Sequence, residues 1–225
     1  MKRQVSLEEI SDGKLYGLND MVKADCGGCK GCSACCHGMG KSVILDPFDV
    51  YQLTVNLKCN FEQLLNHQLE LNVVDGIILP NLRMDGEKER CPFLDEKERC
   101  SIHPFRPSVC RLFPLGRYYE EKGFRYFLQI HECKKENRAK IKVRKWIDMP
   151  NMKEHEQFII KWHNFLKEIE EQIEGSKDEN LMKNMDLSIL KIFYIKSYEE
   201  GCDFFIQFEE RLKEARAFAK MIQSI

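Results

Sequence analysis

In the last third of the chain, apolar residues recur every three or four positions. Phe158, Ile159, Trp162, Phe165, Leu166, Ile169 and Ile173 form one stripe, and Phe204, Phe205, Phe208, Leu212, Ala215, Phe218 and Ile222 form another. This period puts each set on one face of an amphipathic helix. Leu181 to Tyr198 reads as a third helix, set off by Gly175-Ser176 and by Gly201. Such stripes pack a core, so the tail is assigned a packing role.

Upstream the pattern shortens. Asp46-Pro47-Phe48-Asp49 places an N-cap before a proline at the first helical position and predicts a helix through Leu57. Asn60-Phe61-Glu62-Gln63 is a capping box that opens a second helix, to about Leu69. Leu71 to Val74 and Ile77 to Leu82 flank Asp75-Gly76, the dipeptide that suits a type I′ turn, so they read as a hairpin. Arg117 to Glu120 and Phe124 to Ile130, joined around Lys122-Gly123, read as another. The expected fold is therefore α+β. A cysteine-rich domain of short helices and hairpins spans residues 1–148, and a helical extension over 149–225 packs on it.

Composition narrows the function classes. With 225 residues the chain can bury a real core, and 43% apolar against 32% charged residues is the balance of an ordered globular protein. The formal net charge is -1, so no global field draws polyanions or membranes. No window approaches the roughly 18 apolar residues of a membrane span, and the start turns acidic at Glu8-Glu9. A cytoplasmic protein without membrane contact is expected. Lys134, Lys135, Arg138, Lys140, Lys142, Arg144 and Lys145 crowd into twelve residues. Ala139, Val143, Trp146 and Ile147 share a helical face within and beyond that run, so it reads as a solvated basic helix rather than a nucleic-acid site. No glycine-rich phosphate loop occurs.

Sulfur is the unusual feature. Of eleven cysteines, Cys26, Cys29, Cys32, Cys35 and Cys36 fall in one eleven-residue stretch. Without a secretion signal, such crowding points to metal binding or redox chemistry before disulfides. In Cys29-x-x-Cys32-x-x-Cys35-Cys36 the two-residue intervals let successive sulfurs converge on one ion or cluster edge. Adjacent side chains diverge, so Cys35 and Cys36 are expected to serve different centres. Further donors come from Cys91, Cys100, Cys110 and Cys133. Phe93-Leu94 and Ser101-Ile102, split by the charged turn Asp95 to Glu98, predict a ribbon that holds Cys91 and Cys100 side by side. Eight thiolates suit two tetrahedral zinc sites or two cubane clusters. Arg106 and Arg111, which flank Cys110, are candidate hydrogen-bond donors to thiolate sulfur. His37 and His131 border the cysteine segments as secondary candidates. Cys59 and Cys202 read as small apolar side chains.

Spacing does not choose the metal. Cys26, Cys29, Cys32 and Cys36 reproduce the interval of bacterial ferredoxins, although His37 stands where a proline usually follows. All-thiolate ligation by ribbon-borne pairs suits structural zinc equally. The Cys-x-x-x-Cys-x-x-Cys signature of radical adenosylmethionine enzymes is absent, since Met39 stands at its third position.

The string from Cys29 to Cys36, followed by Cys91-Pro-Phe-Leu, Cys100-Ser-Ile-His and Arg106-Pro-Ser-Val-Cys-Arg-Leu-Phe-Pro, resembles the YkgJ-type cysteine-cluster (CxxCxxCC) family of zinc- or iron-chelating domains. The resemblance covers roughly residues 15 to 135. It implies Cys29, Cys32, Cys35, Cys36, Cys91, Cys100, Cys110 and Cys133 as ligands of zinc or of iron-sulfur centres, with Cys26 and the helical tail outside the pattern. A tyrosine often stands in the family at the position of His103, which argues against His103 as a ligand. Three functions follow as expectations. The first is an iron-sulfur protein that moves electrons or supports a modifying enzyme. Flagellin lysine N-methylases carry a similar domain, which suggests methylation of a protein substrate with adenosylmethionine as the second. The third is a zinc-stabilised module that captures a protein partner.

Overall fold

A computed structural model of the chain describes residues 6–27, 32–175 and 179–223. In chain order its elements begin with α1 (Leu7–Ile10), β1 (Met21–Asp25), α2 (Pro47–Leu57), α3 (Phe61–His67), β2 (Leu69–Val74), β3 (Ile77–Leu82) and α4 (Ser108–Leu112). They continue with β4 (Leu115–Glu120), β5 (Gly123–Leu128), β6 (Ala139–Lys142), α5 (Val143–Ile147), α6 (Met152–Glu174), α7 (Glu179–Leu190) and α8 (Phe204–Gln223). Helices and short antiparallel strand pairs make this an α+β fold.

The chain forms two compact units. A helical unit combines Ile44–Arg83 with Lys153–Ile225, and a cysteine unit combines Lys2–Val43 with Met84–Met152. The backbone thus passes between units after residues 43, 83 and 152.

In the helical unit the start signals act as the sequence implies. Asp46 accepts from the Asp49 amide and Asp49 accepts from the Asp46 amide, which closes a capping box around Pro47. Asn60 and Gln63 repeat it at α3, which ends at His67. Asp75 (φ 50°) and Gly76 (φ 85°) supply the two left-handed positions that a type I′ turn needs between β2 and β3. Phe158, Trp162, Phe165 and Ile169 of α6 and Phe204, Phe208 and Leu212 of α8 are buried. Phe48 of α2 joins this core, with its ring 5.1 Å from Phe204 and 6.2 Å from Phe158.

The third tail helix departs from its expected span. Only α7 is α-helical, and Lys191–Ile195 widen into a π turn closed by Lys196 N–H donating to Lys191 O at 2.9 Å. The chain then leaves the helix before Tyr198. Ile192, Phe193 and Tyr194 are buried in this turn, and Tyr194 donates to the Leu45 carbonyl at 3.1 Å.

The cysteine unit holds two antiparallel ribbons, β4 with β5 and β1 with β6. The β4–β5 hairpin pairs Leu115 with Leu128 through Glu120 with Gly123. Residues 11–16 run beside β5, with Tyr16 and Tyr126 exchanging backbone hydrogen bonds of 2.7 and 2.9 Å. Gly116 lies opposite Phe127, and a Cβ there would overlap the Phe127 ring. Gly116→Ala is therefore expected to destabilise the chain by about 1–3 kcal/mol, the usual cost of overpacking. A chemical denaturation midpoint lowered at constant slope checks this.

The basic run corrects one expectation. It is not one helix, because Ala139–Lys142 form β6 and only Val143–Ile147 are helical. Lys140-Ile141-Lys142 also fits the two-residue period of a strand. Ile141 pairs with Val22 on the inner face, while both lysines are exposed.

Candidate metal centre

Three described segments of the cysteine unit carry the thiols that come together. Ala34–Cys36 form a single 3₁₀ turn that presents Cys35 and Cys36. The segment from Cys91 to Ser101 is the ribbon expected from sequence, with Ser101 N–H donating to Phe93 O at 2.8 Å and Leu94 bridging Cys100. Its turn closes because the Asp95 carboxylate accepts from the amides of Lys97 and Arg99, each at 2.8 Å. The third segment, α4, follows Pro107 and carries Cys110.

Backbone and side-chain contacts clasp these segments. Cys91 N–H donates to Cys36 O at 2.8 Å, and His37 bridges Arg90 in the same register. Glu98, at the ribbon turn, reaches back to His37 Nε2 at 2.7 Å and accepts from Ser33 at 3.1 Å and from Arg90 Nε at 3.2 Å. His37 and Arg90 hold its carboxyl below the usual carboxylate range. Arg90 also donates to the carbonyls of Leu94 and Asp95 at 2.9 and 2.7 Å. The clasp role of Glu98 is not carried by any motif. Its only sequence signal is a charged turn midway between two cysteines.

The electrostatics show that the thiols are neighbours. Cys35 is lowered to about 7, chiefly because Cys36 donates a hydrogen bond to its sulfur, with Arg106 adding a favourable charge. Cys36 is raised by that same hydrogen bond, by burial, and by the nearby Cys35, Cys91 and Cys110. Cys91 is raised to about 11, first by burial and also by Cys100 and Cys35. Cys100 is raised by burial, with a smaller contribution from Cys35. Thus Cys35 lies within electrostatic reach of Cys36, Cys91 and Cys100, and Cys36 within reach of Cys91 and Cys110, thiols that come from both ends of the stretch between Cys35 and Cys110.

The other sulfur positions differ. Cys29 lies outside the described residues. Cys32 and Cys133 are half-buried in the same unit. Lys134, next to Cys133, lines an open groove of about 700 Å³ together with Ala34, His37, Gly38, Lys88, Arg90 and Glu98, so the Cys133 turn borders the Cys35 turn. Cys26 is half-buried. Cys59 is half-buried and Cys202 is exposed beside Glu199; both belong to the helical unit. Among the described residues, no three Cys, His, Asp or Glu side chains close into ligating geometry.

The two arginines beside Cys110 have separate roles. Arg106 lies 2.9 Å from His103 Nδ1 and favours the thiolate forms of Cys35 and Cys100. Burial and Arg106 hold His103 below its ordinary value, so its ring is neutral near pH 7. Arg111 is buried and donates to the carbonyls of Asp148, at 2.8 Å, and Pro104.

This donor set fits a thiophilic ion. Neighbouring thiols, one of them lowered to about 7 with a guanidinium nearby, favour zinc or iron over hard, oxygen-seeking cations. No curated protein and no solved structure matches the chain. Residues 28–139 match the CxxCxxCC family model, described as "Putative zinc- or iron-chelating domain". That match begins after Cys26 and spans the eight candidate ligands Cys29, Cys32, Cys35, Cys36, Cys91, Cys100, Cys110 and Cys133, with Cys59 as a ninth cysteine inside it. Over residues 28–139 this chain belongs to the CxxCxxCC zinc- or iron-chelating domain family.

Proposed function

We propose that the chain binds zinc or iron-sulfur centres through Cys29, Cys32, Cys35, Cys36, Cys91, Cys100, Cys110 and Cys133. One observation carries this reading. Cys36 of the N-terminal turn lies within electrostatic reach of Cys91 of the 91–101 ribbon and Cys110 of α4, all inside the family domain. Arg106 would stabilise the thiolates there, and the Glu98 clasp would hold the two cysteine-bearing segments in register. When bound, zinc would cross-link the segments, and an iron-sulfur cluster would add reversible one-electron chemistry. Zinc makes the domain a folded module for partner binding, whereas a cluster makes it an electron carrier or a support for a modifying enzyme.

Elemental analysis and electron paramagnetic resonance of anaerobically purified protein test the reading. Two zinc ions per chain, or iron with acid-labile sulfide and a broad absorption near about 400 nm, are expected. In either case Cys91→Ser and Cys36→Ser are expected to lose metal. Protein that holds no zinc or iron at any stage of purification, and that takes up neither on reconstitution, would end the proposal.

A further inference from the structure

The β1–β6 ribbon presents a face that its own charges oppose. Antiparallel partners project to the same side of a ribbon. Met21 pairs with Lys142 and Lys23 pairs with Lys140, so three lysines share one exposed face. Lys23 and Lys140 are directly opposite, an arrangement that costs stability when the charges are alike. The opposite face carries Val22, fully buried, and Ile141. The lysine side is therefore not exchangeable with the core side by a register slip.

The positive surface continues. Lys142 is the N-cap of α5, where Arg144 and Lys145 are also exposed. Among the described residues, none of Lys23, Lys140, Lys142, Arg144 and Lys145 forms an ion pair. Two carboxylates at the ends of β1 accept from backbone amides, and Asp148 follows α5 as its C-cap. Asp20 accepts from the Gly17 amide at 2.7 Å and Asp25 from the Gly27 amide at 2.9 Å. A chain with net charge -1 that concentrates five cations outside any ion pair here, against the three carboxylates Asp20, Asp25 and Asp148, has a local excess of positive charge of the kind that polyanion binding requires.

We infer that this ribbon and α5 bind the phosphate backbone of a nucleic-acid duplex. Three features favour that partner. A two-stranded ribbon has the dimensions of an element that enters the major groove. Alternate residues on a strand stand about 6.6 Å apart, so Lys140 and Lys142 form a regular row of point charges suited to tracking phosphates. The exposed face offers one apolar side chain, Met21, where a membrane would need a larger apolar area and a peptide would need side-chain pockets. Binding through phosphates is sequence-independent, because phosphate contacts carry no base information.

Fluorescence anisotropy of the full chain with labelled duplex DNA and RNA tests this. A Glu-rich peptide and phosphatidylserine vesicles serve as the competing anionic probes. Because log affinity falls by about 0.9 per phosphate neutralised for each tenfold rise in salt, three to five contacts imply a loss of about 40- to 500-fold between about 50 and 200 mM salt. Lys140→Glu with Lys142→Glu is expected to cut duplex affinity at least about tenfold and to reduce the salt slope by about 2. Lys140→Glu alone places a carboxylate opposite Lys23, so it should melt no lower than wild type. Lys140→Gln with Lys142→Gln should weaken binding in the same direction without reversing charge, and Lys213→Glu on α8 should bind as wild type does. Wild-type affinity in both double variants, preference for the peptide or the vesicles over the duplexes, or failure to bind either duplex at low salt would overturn the inference. Metal content per chain, which these substitutions should leave unchanged, separates failure here from failure of the metal reading.

Discussion

Arg211→Met is expected to cost the helical unit about 3–5 kcal/mol. The residue is 4% exposed, and its guanidinium donates to Ile192 O at 2.7 Å, Lys196 O at 2.6 Å and Ser197 O at 2.6 Å. These carbonyls lie in and just after the π turn, where the helical ladder ends and would leave acceptors without donors. The guanidinium also stacks over the Tyr198 ring, 3.6 Å from its centroid. Methionine preserves much of the buried volume but strands the three acceptors, each at a penalty of about 1–3 kcal/mol, part of which relaxation and water recover. Burial lowers the guanidinium's proton affinity, but arginine stays charged at any ordinary pH. Arg211→Lys should therefore keep the charge and recover only part of the loss, since one ammonium cannot reproduce the planar fork. Urea unfolding read by tryptophan fluorescence measures both variants. A methionine variant within about 0.5 kcal/mol of wild type, the range of ordinary surface changes, would show that Arg211 does not secure the turn.

The π turn also marks where the sequence stops being legible. Apolar spacing continues through Phe193 and Tyr194 toward Tyr198, so periodicity alone extends the helix. What shortens it is an arginine about twenty residues downstream, a long-range contact with no local signature. Short elements with their own punctuation were legible. Asp46-Pro47, Asn60 to Gln63 and Asp75-Gly76 each fix backbone geometry within four residues, and each sits where the structure uses it. The strand in the basic run is not legible because Lys-Ile-Lys is too short to separate a helical period from a strand period, and its pairing with Val22 lies more than 100 residues away. At the candidate centre, the 91–101 ribbon was legible because a charged turn midway between two cysteines announces it. The Glu98 clasp was not, since an exposed glutamate in a charged turn resembles any other. The packing of Phe48 and Tyr51 on Phe204 was hidden for another reason. Rings on separate helices carry no sequence mark of their partners.

Metal affinity of the cysteine unit is expected to rise by at least about 100-fold per pH unit between about pH 6 and 8, since each thiol proton displaced contributes a factor of ten. The sign follows from which form the metal-free thiols hold. Cys91, raised to about 11, and Cys36, raised by its hydrogen bond to Cys35 and by burial, both carry protons throughout this range. Metal takes thiolates, so with Cys36 and Cys91 as ligands, as proposed, binding releases at least these two protons, and acid competes with the ion. Cys35, lowered to about 7, adds a third released proton below that pH and steepens the dependence there. Removing Arg106 withdraws the positive charge that favours the thiolates of Cys35 and Cys100, so Arg106→Gln should weaken binding at pH 6.5 more than at pH 8. Competition titrations with a chromophoric zinc chelator, corrected for the chelator's own protonation, give the slope directly. A slope near zero would mean that Cys36 and Cys91 do not ligate, and the centre would then have to be built from other donors.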